Sequence, residues 1–277
     1  MFKNYLKISL RNLLRYKGYS LINIVGLAIG ITCTIMIFLF VQDEMSFDNF
    51  HAKSDRLYRL NKKVTPQTGG TEWHAITPGL MGPTMVSDFP EVEQSLRLLP
   101  WFDDVLMTRG ETSLKVSNVV FADSNFFDIF DFRLLQGNAK TALVEPLSII
   151  LSEKTAGKFF GNSDPIGQVI QGLNDLSYKV TGIIEETPAN SSLRYNALIS
   201  WISTIPGTGP LNWSWLNRWI TQVNFTYLLL FPETDVPAFE QKFADFMVKY
   251  MPRQAEYYKT VSTAIGGYPS KIITNSI

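Results

Sequence analysis

The sequence predicts an α+β protein: one N-terminal transmembrane helix followed by a mixed α/β extracytoplasmic domain. Three observations predict this class. The stretch from Gly18 to Gln42 carries no charge. Lys3, Lys7, Arg11, Arg15 and Lys17 crowd its N-terminal side without any acid, while Asp43 and Glu44 close the other end. Beyond it, apolar residues alternate between strand and helix periods, separated by Gly and Pro turn signals.

Composition bounds the function classes. Hydrophobic residues make up 45% of the 277 residues and aromatics 13%, which is globular and excludes a disordered or collagenous chain. Lys and Arg number 25 and balance 25 Asp and Glu, so no overall basic field draws nucleic acid, and none is expected as a partner. A lone cysteine, Cys33, excludes a disulfide framework. Nucleotide-cradling glycine motifs, a nucleophile elbow and zinc-ligand spacings are all missing. The expectation is therefore no enzyme, no cofactor and no metal.

Residues 1–20 read as a cytoplasmic amphipathic segment. Lys3, Lys7, Arg11 and Arg15 recur every fourth residue, with Phe2, Tyr5, Leu6, Leu10 and Leu13 on the other side of the same helix. Like charges at this spacing weaken an isolated helix; anionic lipid headgroups reverse that cost, so the bilayer is the expected partner. Residues 21–41 read as the membrane helix, about 31 Å long against a hydrocarbon core of about 30 Å. Thr32 and Thr34 are tolerated because their hydroxyls bond the preceding turn. The apolar run is too long for a signal peptide and lacks a small-x-small cleavage site, so it stays as an anchor. The positive-inside rule places Met1–Ser20 in the cytoplasm and Asp43 onward outside. Gly26 and Gly30 form a small-residue pair suited to contact with another helix.

The outer domain, 45–252, reads in order as follows. Leu57–Val64 is a strand and Pro78–Asp88 a helix. Strand-like runs lie near 93–107 and 114–121. Ser124 is placed to cap a short helix carrying Phe126, Phe127 and Phe130. Ser148–Leu151 is an apolar strand, and Ser152 caps a helix that runs through Phe160 to Gly161. Pro165–Gly167 is a turn, and Tyr178–Glu185 and Asn224–Phe231 are strands. Val236, Phe239, Phe243, Phe246, Met247 and Tyr250 share one helical face behind an Asp235 cap. Loops are signalled at Gly69-Gly70 and Pro206–Pro210. Gly137 and Gly161 sit where a positive φ is needed. His51 and His74 read as surface histidines, and the adjacent pairs Asp103-Asp104 and Glu185-Glu186 as solvated charge. Trp201, Trp213, Trp215 and Trp219 read either as core and loop packing or as the lining of a cleft.

The run NYLKISLRNLLRYKGYSLINIVGLAIGITCTIMIFLFVQDEMSFDNFHAKSDRLYRL resembles the N-terminus of MacB-like, FtsX-family ABC transporter permeases of the Bacteroidetes type. DSNFFDIFDFRLLQGNAKTAL, with Phe126, Phe127 and Gly137, continues the resemblance. So do LSEKTAGKFFGNSDPIGQVI, with Phe160, Gly161, Pro165 and Gly167, and YKVTGIIEETPANSSLRYNALIS, with Gly182. These motifs read as fold signatures. The resemblance implies an inner-membrane permease with four membrane helices and a periplasmic core domain between the first two. It implies a porter part at about 57–95 and 193–250 and an inserted sabre-like part at about 96–192. It implies a separate cytoplasmic ABC ATPase and a second permease copy or half, with export or force transmission as the task. Residues 253–277 read as a tail of a fragment or truncated product, since no second apolar run follows Tyr250. A single-span protein with an extracytoplasmic ligand-binding domain is the other function these features fit.

Overall fold

The computed structural model describes residues 2–65, 72–101, 103–252, 260–268 and 271–272. Its chain divides into two compact units, 1–46 and 47–277.

The first unit is two helices, α1 (Phe2–Arg15) and α2 (Lys17–Ser46), meeting at Tyr16. Lys7, Arg11 and Arg15 are exposed on α1; the Lys3 side chain lies outside the described residues. α2 exceeds the expected 21–41 span at both ends because neither Lys17–Ser20 nor Gln42–Ser46 contains a strong helix breaker apart from Gly18. It is long and apolar enough to cross a membrane, and none of its side chains is buried by protein. Thr32 and Thr34 donate to the carbonyls of Ala28 and Gly30 at 2.8 and 2.9 Å, which satisfies both hydroxyls inside the helix.

The second unit is built on a mixed sheet. Its elements in chain order begin with β1 (Leu57–Thr65), β2 (Glu72–His74), β3 (Ile76–Pro78) and α3 (Met81–Asp88). Next come β4 (Val92–Pro100), β5 (Val105–Arg109), β6 (Thr112–Val116), β7 (Val119–Ala122), α4 (Phe126–Ile129) and β8 (Leu134–Gly137). Then follow β9 (Ser148–Ser152), α5 (Glu153–Phe160), β10 (Val169–Gln171), β11 (Ser177–Ile184), β12 (Ala197–Ser200) and β13 (Gln222–Leu230). The chain closes with α6 (Val236–Gln241), α7 (Phe243–Tyr250), β14 (Thr260–Tyr268) and β15 (Lys271–Ile272). The main path through the sheet is β15-β14-β1-β13-β4-β7-β12-β9-β11-β10-β5-β6.

Pairing is antiparallel except for β7 with β12 and β9 with β11, which are parallel. These central strands are covered on both faces, so they are apolar without alternation. Val119, Phe121, Ile149, Leu151, Ala197 and Ile199 face one cluster, under α5. Val120, Ala122, Ile150 and Leu198 face the other, under α4, with Phe126, Phe130 and Phe132. A third cluster lies where α3, α6 and α7 cover β1 and β13; there the Phe89 ring meets Phe239, Phe246 and Phe243 at 5.2, 5.3 and 5.9 Å.

Several expectations change in detail. Ile76–Pro78 pairs with β13, so the helix expected from Pro78 starts at Met81. The runs at 93–107 and 114–121 are four strands, divided at Pro100, at Gly110 with φ +57° and at Asn118 with φ +52°. Ser124 does not cap α4: Asn125 precedes it, and its amide donates to Gln94 and Ser95 instead of capping. The aromatic stripe 236–250 is two helices broken at Lys242, though Phe239, Phe243, Phe246 and Met247 still share one buried cluster. Asp235 caps the first of them by accepting from the Ala238 N–H at 3.1 Å. Ser152 caps α5 by accepting from the Thr155 N–H, and Gly161 ends it at φ +56°. Residues 253–277, expected as a tail, contribute β14, which pairs with β1 from Arg59 to Thr65. The boundary drawn at 95/96 falls inside β4, and β12 pairs on both sides with strands of the 96–192 segment. The Gly69-Gly70 signal lies outside the described residues.

Candidate functional site

The chain enters the outer domain at Phe47, directly after α2 in sequence, and its first ten residues are pinned by long-range contacts. Asp48 is buried in a left-handed conformation, φ +55°, which a short polar side chain tolerates. Its N–H donates to the Asn190 carbonyl at 2.9 Å. Its Oδ1 accepts from Ser191 Oγ at 3.1 Å and from the Ser192 N–H at 3.0 Å. Asp131 Oδ2 accepts from the Ala52 N–H at 2.7 Å, and Lys53 Nζ donates to the Asp128 carbonyl.

His51 is 2% exposed, which corrects the reading of it as a surface histidine. Its ring packs against Phe50, Phe130 and Phe132 with centroids 4.1, 5.0 and 5.1 Å away. The Asp131 N–H donates to His51 Nδ1 at 3.0 Å. An accepting Nδ1 is unprotonated, so the ring is neutral with its proton on Nε2. Burial pushes its pKa down, opposed by the Asp48 and Asp131 carboxylates. The Asp131 carboxylate, 3.9 Å from Nδ1, is therefore a neighbour of a neutral ring and not half of an ion pair. Sequence reasoning missed this joint, although an Asp and a His three residues apart in an otherwise aromatic FDNFH run were its visible signal.

No nucleophile meets a base in this joint. Ser191 spends its proton on Asp48, and His51 Nδ1 spends its lone pair on the backbone. What the arrangement does is fix the segment after α2 to two loops, 128–132 and 188–192. His74 lies half-buried on β2. Among the described residues no cluster of His, Cys, Asp and Glu is placed to hold a metal.

A second polar joint crosses the sheet. Arg97, on β4, makes a two-point pair with Asp123 after β7, donates to the Gly79 carbonyl at 3.0 Å, and lies 4.3 Å over the Trp201 ring. The four expected tryptophans converge only in part: Trp213 meets the exposed Trp215 at 5.7 Å and packs on the cluster that holds Trp201, while Trp219 lies in the cluster of α6 and α7. Trp213 stacks on Trp101 at 5.4 Å, Trp219 stacks on Tyr250 at 4.8 Å, and Trp201 is buried under Arg97. Trp201, Trp213 and Trp219 are packing residues, and Trp215 is exposed.

The motif residues occupy structural positions. Phe126 and Phe160 are buried, Phe127 half-buried, and Pro165 is buried in the turn closed by Gly167 at φ +79°. Arg109 lies 4.4 Å over the Phe160 ring. Gly137 has φ +101°, and a Cβ there would stand 2.4 Å from the Thr181 carbonyl oxygen where β8 meets β11. Gly182, on β11, packs against Leu134 and Ile150. On α2 a Cβ at Gly26 or Gly30 would meet nothing within 4 Å.

The fold is shared with solved domains of a permease and of two transporters. A domain assigned to a permease of Porphyromonas gingivalis aligns with a TM-score of 0.65 at 18% identity, over 79% of this chain and 92% of that one. The periplasmic region of MacB from Actinobacillus actinomycetemcomitans aligns at 0.50 and 11%, over 74% and 88%. The extracellular domain of the noncanonic ABC-type transporter YknZ from Gram-positive bacteria aligns at 0.50 and 12%, over 75% and 98%. No curated protein matches the chain in sequence. The family model of the MacB-like periplasmic core domain matches residues 20–246, and the chain belongs to that family.

Proposed function

We propose that this chain is permease material of a MacB/FtsX-type ABC transporter, acting with a separate cytoplasmic ATPase and a second permease copy or half. It exports a substrate or transmits force across the inner membrane, with no catalysis of its own. The observation that carries the reading is the match of residues 20–246 to the MacB-like periplasmic core domain, together with a helix, α2, long and apolar enough to cross a membrane. Asp48 and His51 hold the first residues of the outer domain to that domain's own segments. In this reading α1 lies on the cytoplasmic headgroups through Lys3, Lys7, Arg11 and Arg15, and Gly26 and Gly30 present a small-residue face to another membrane helix. The outer domain is periplasmic, with porter and sabre-like parts at about 57–95 with 193–250 and about 96–192, joined through β4.

Two measurements test it. A cysteine introduced at Asn138 should be labelled by an impermeant reagent on intact spheroplasts; labelling only after permeabilisation would put the domain on the wrong side. Affinity purification of the tagged chain from native membranes should recover an ABC ATPase. Its absence, with a soluble ligand recovered instead, would favour the single-span ligand-binding function.

A further inference from the structure

We propose that the outer domain carries an anion site for a phosphate group, formed by Lys115, Lys154 and Lys158. A pocket of about 260 Å³ opens between β6, the first turns of α5 and the start of β12. Three lysines line it and no carboxylate does. Lys115 comes from the edge strand, while Lys154 and Lys158 stand one turn apart on α5. None of the three has an ion-pair partner among the described residues.

That arrangement is costly for an empty surface. Like charges four residues apart destabilise a helix, and a third cation across the pocket adds to the repulsion. Some of the domain's other cations are paired, Arg56 with Glu93, Arg97 with Asp123, Lys242 with Glu91 and Lys249 with Asp88; what distinguishes these three lysines is that they line one pocket with no carboxylate in its wall. The nearby acid Glu186 does not serve here; it accepts from the Lys154 backbone N–H at 2.9 Å and so occupies the helix N-terminus itself. Neutral donors complete the wall. Thr155 accepts from Ser152 Oγ at 3.1 Å and keeps its own hydroxyl proton to donate. Asn196 donates to Ser117, which fixes both at the rim. Ammonium groups act as point charges on long stems and hold phosphate oxygens without demanding one planar geometry. The pocket suits a phosphate and its first attached atoms, either a free phosphorylated solute or the headgroup of an anionic phospholipid.

The test is lysine footprinting of the full chain in nanodiscs, reading acetylation at each lysine by mass spectrometry. In zwitterionic lipid, added pyrophosphate at a few times its Kd should slow acetylation of Lys154 and Lys158 by about fivefold, and Lys140 and Lys179, exposed elsewhere, should not change. Protection of the same pair only in discs containing phosphatidylglycerol identifies a lipid headgroup as the source. The Lys115→Gln variant should lose the protection at Lys154 and Lys158 while keeping its melting profile. Equal protection at Lys140 and Lys179, or none at the pocket with either source, overturns the site. The test is independent of any ATPase partner.

Discussion

Arg97 and Asp123 hold each other by both backbone and side chain. The Arg97 N–H and Nε donate to Asp123 Oδ2 at 2.8 and 2.9 Å, Nη2 donates to Oδ1 at 2.7 Å, and the Asp123 N–H returns a bond to the Arg97 carbonyl. The side chains are 13% and 18% exposed, so removing one partner strands the other in a poorly hydrated place. Asp123→Ala should cost about 3 kcal/mol. Arg97→Lys should also destabilise, because an ammonium cannot make the two-point pair or lie flat on Trp201. Urea unfolding of the domain measures both; a loss within error for Asp123→Ala would show that the joint is decorative.

Gly137 and Gly161 both have positive φ but differ in their surroundings. At Gly137 a Cβ would collide with the Thr181 carbonyl, whereas at Gly161 it meets nothing within 4 Å. Gly161→Ala should cost about 1–3 kcal/mol, because φ +56° with ψ −117° lies outside the left-handed helical well that other residues can visit. Gly137→Ala adds a backbone clash and should cost roughly 3 kcal/mol or more. Similar losses for the two variants would contradict the close approach of β8 to β11.

His51 makes stability pH-dependent. Its folded pKa lies below the ordinary value of about 6.5, so between those two values the unfolded chain binds more protons. The stabilisation it contributes is complete above about pH 6.5 and is lost as the pH falls through the folded value. His51→Asn keeps an acceptor for the Asp131 N–H and removes the titration. Urea midpoints at about pH 7.5 and about pH 5 should therefore differ less in that variant than in the parent. His51→Ala should cost about 2–4 kcal/mol at neutral pH, from the cavity among three Phe rings and the orphaned Asp131 N–H.

The domain should fold without the membrane helix. Residues 47–277 hold all three apolar clusters and should unfold in one cooperative transition. Ending the chain at 252 should lower the urea midpoint, because β1 then loses its β14 partner from Arg59 to Thr65. An unchanged midpoint would mean that this pairing adds nothing.

Much of the architecture was legible because local rules governed it. The uncharged run marked α2, Ser152 and Gly161 marked both ends of α5, and Asp235 marked the start of α6. The joint at Asp48 and His51 was hidden because its partners, Ser191 and Asp131, lie far along the chain and only the fold brings them together. His51 read as a surface residue since a lone histidine carries no burial signal; its Phe neighbours 130 and 132 belong to a distant segment. The strand order was equally hidden, because periodicity tells which residues are strand and not which strand lies beside which. The break at Lys242 escaped because the apolar stripe stays in phase across it.

The interleaved strand order has a consequence for synthesis. β1 leaves the ribosome early, yet Leu57 must wait for Leu229 on β13. β9 likewise waits for β12. Contacts this distant in sequence form slowly and only after the connecting chain is complete. β4, β7, β12, β9, β11, β10, β5 and β6 are contiguous in the sheet and can close on one another once β12 is made, while β1 and β3 stay without their partner β13 until the chain reaches it. The doubly buried strands β7 and β9, apolar on both faces, are then the segments most in need of a holdase while they wait.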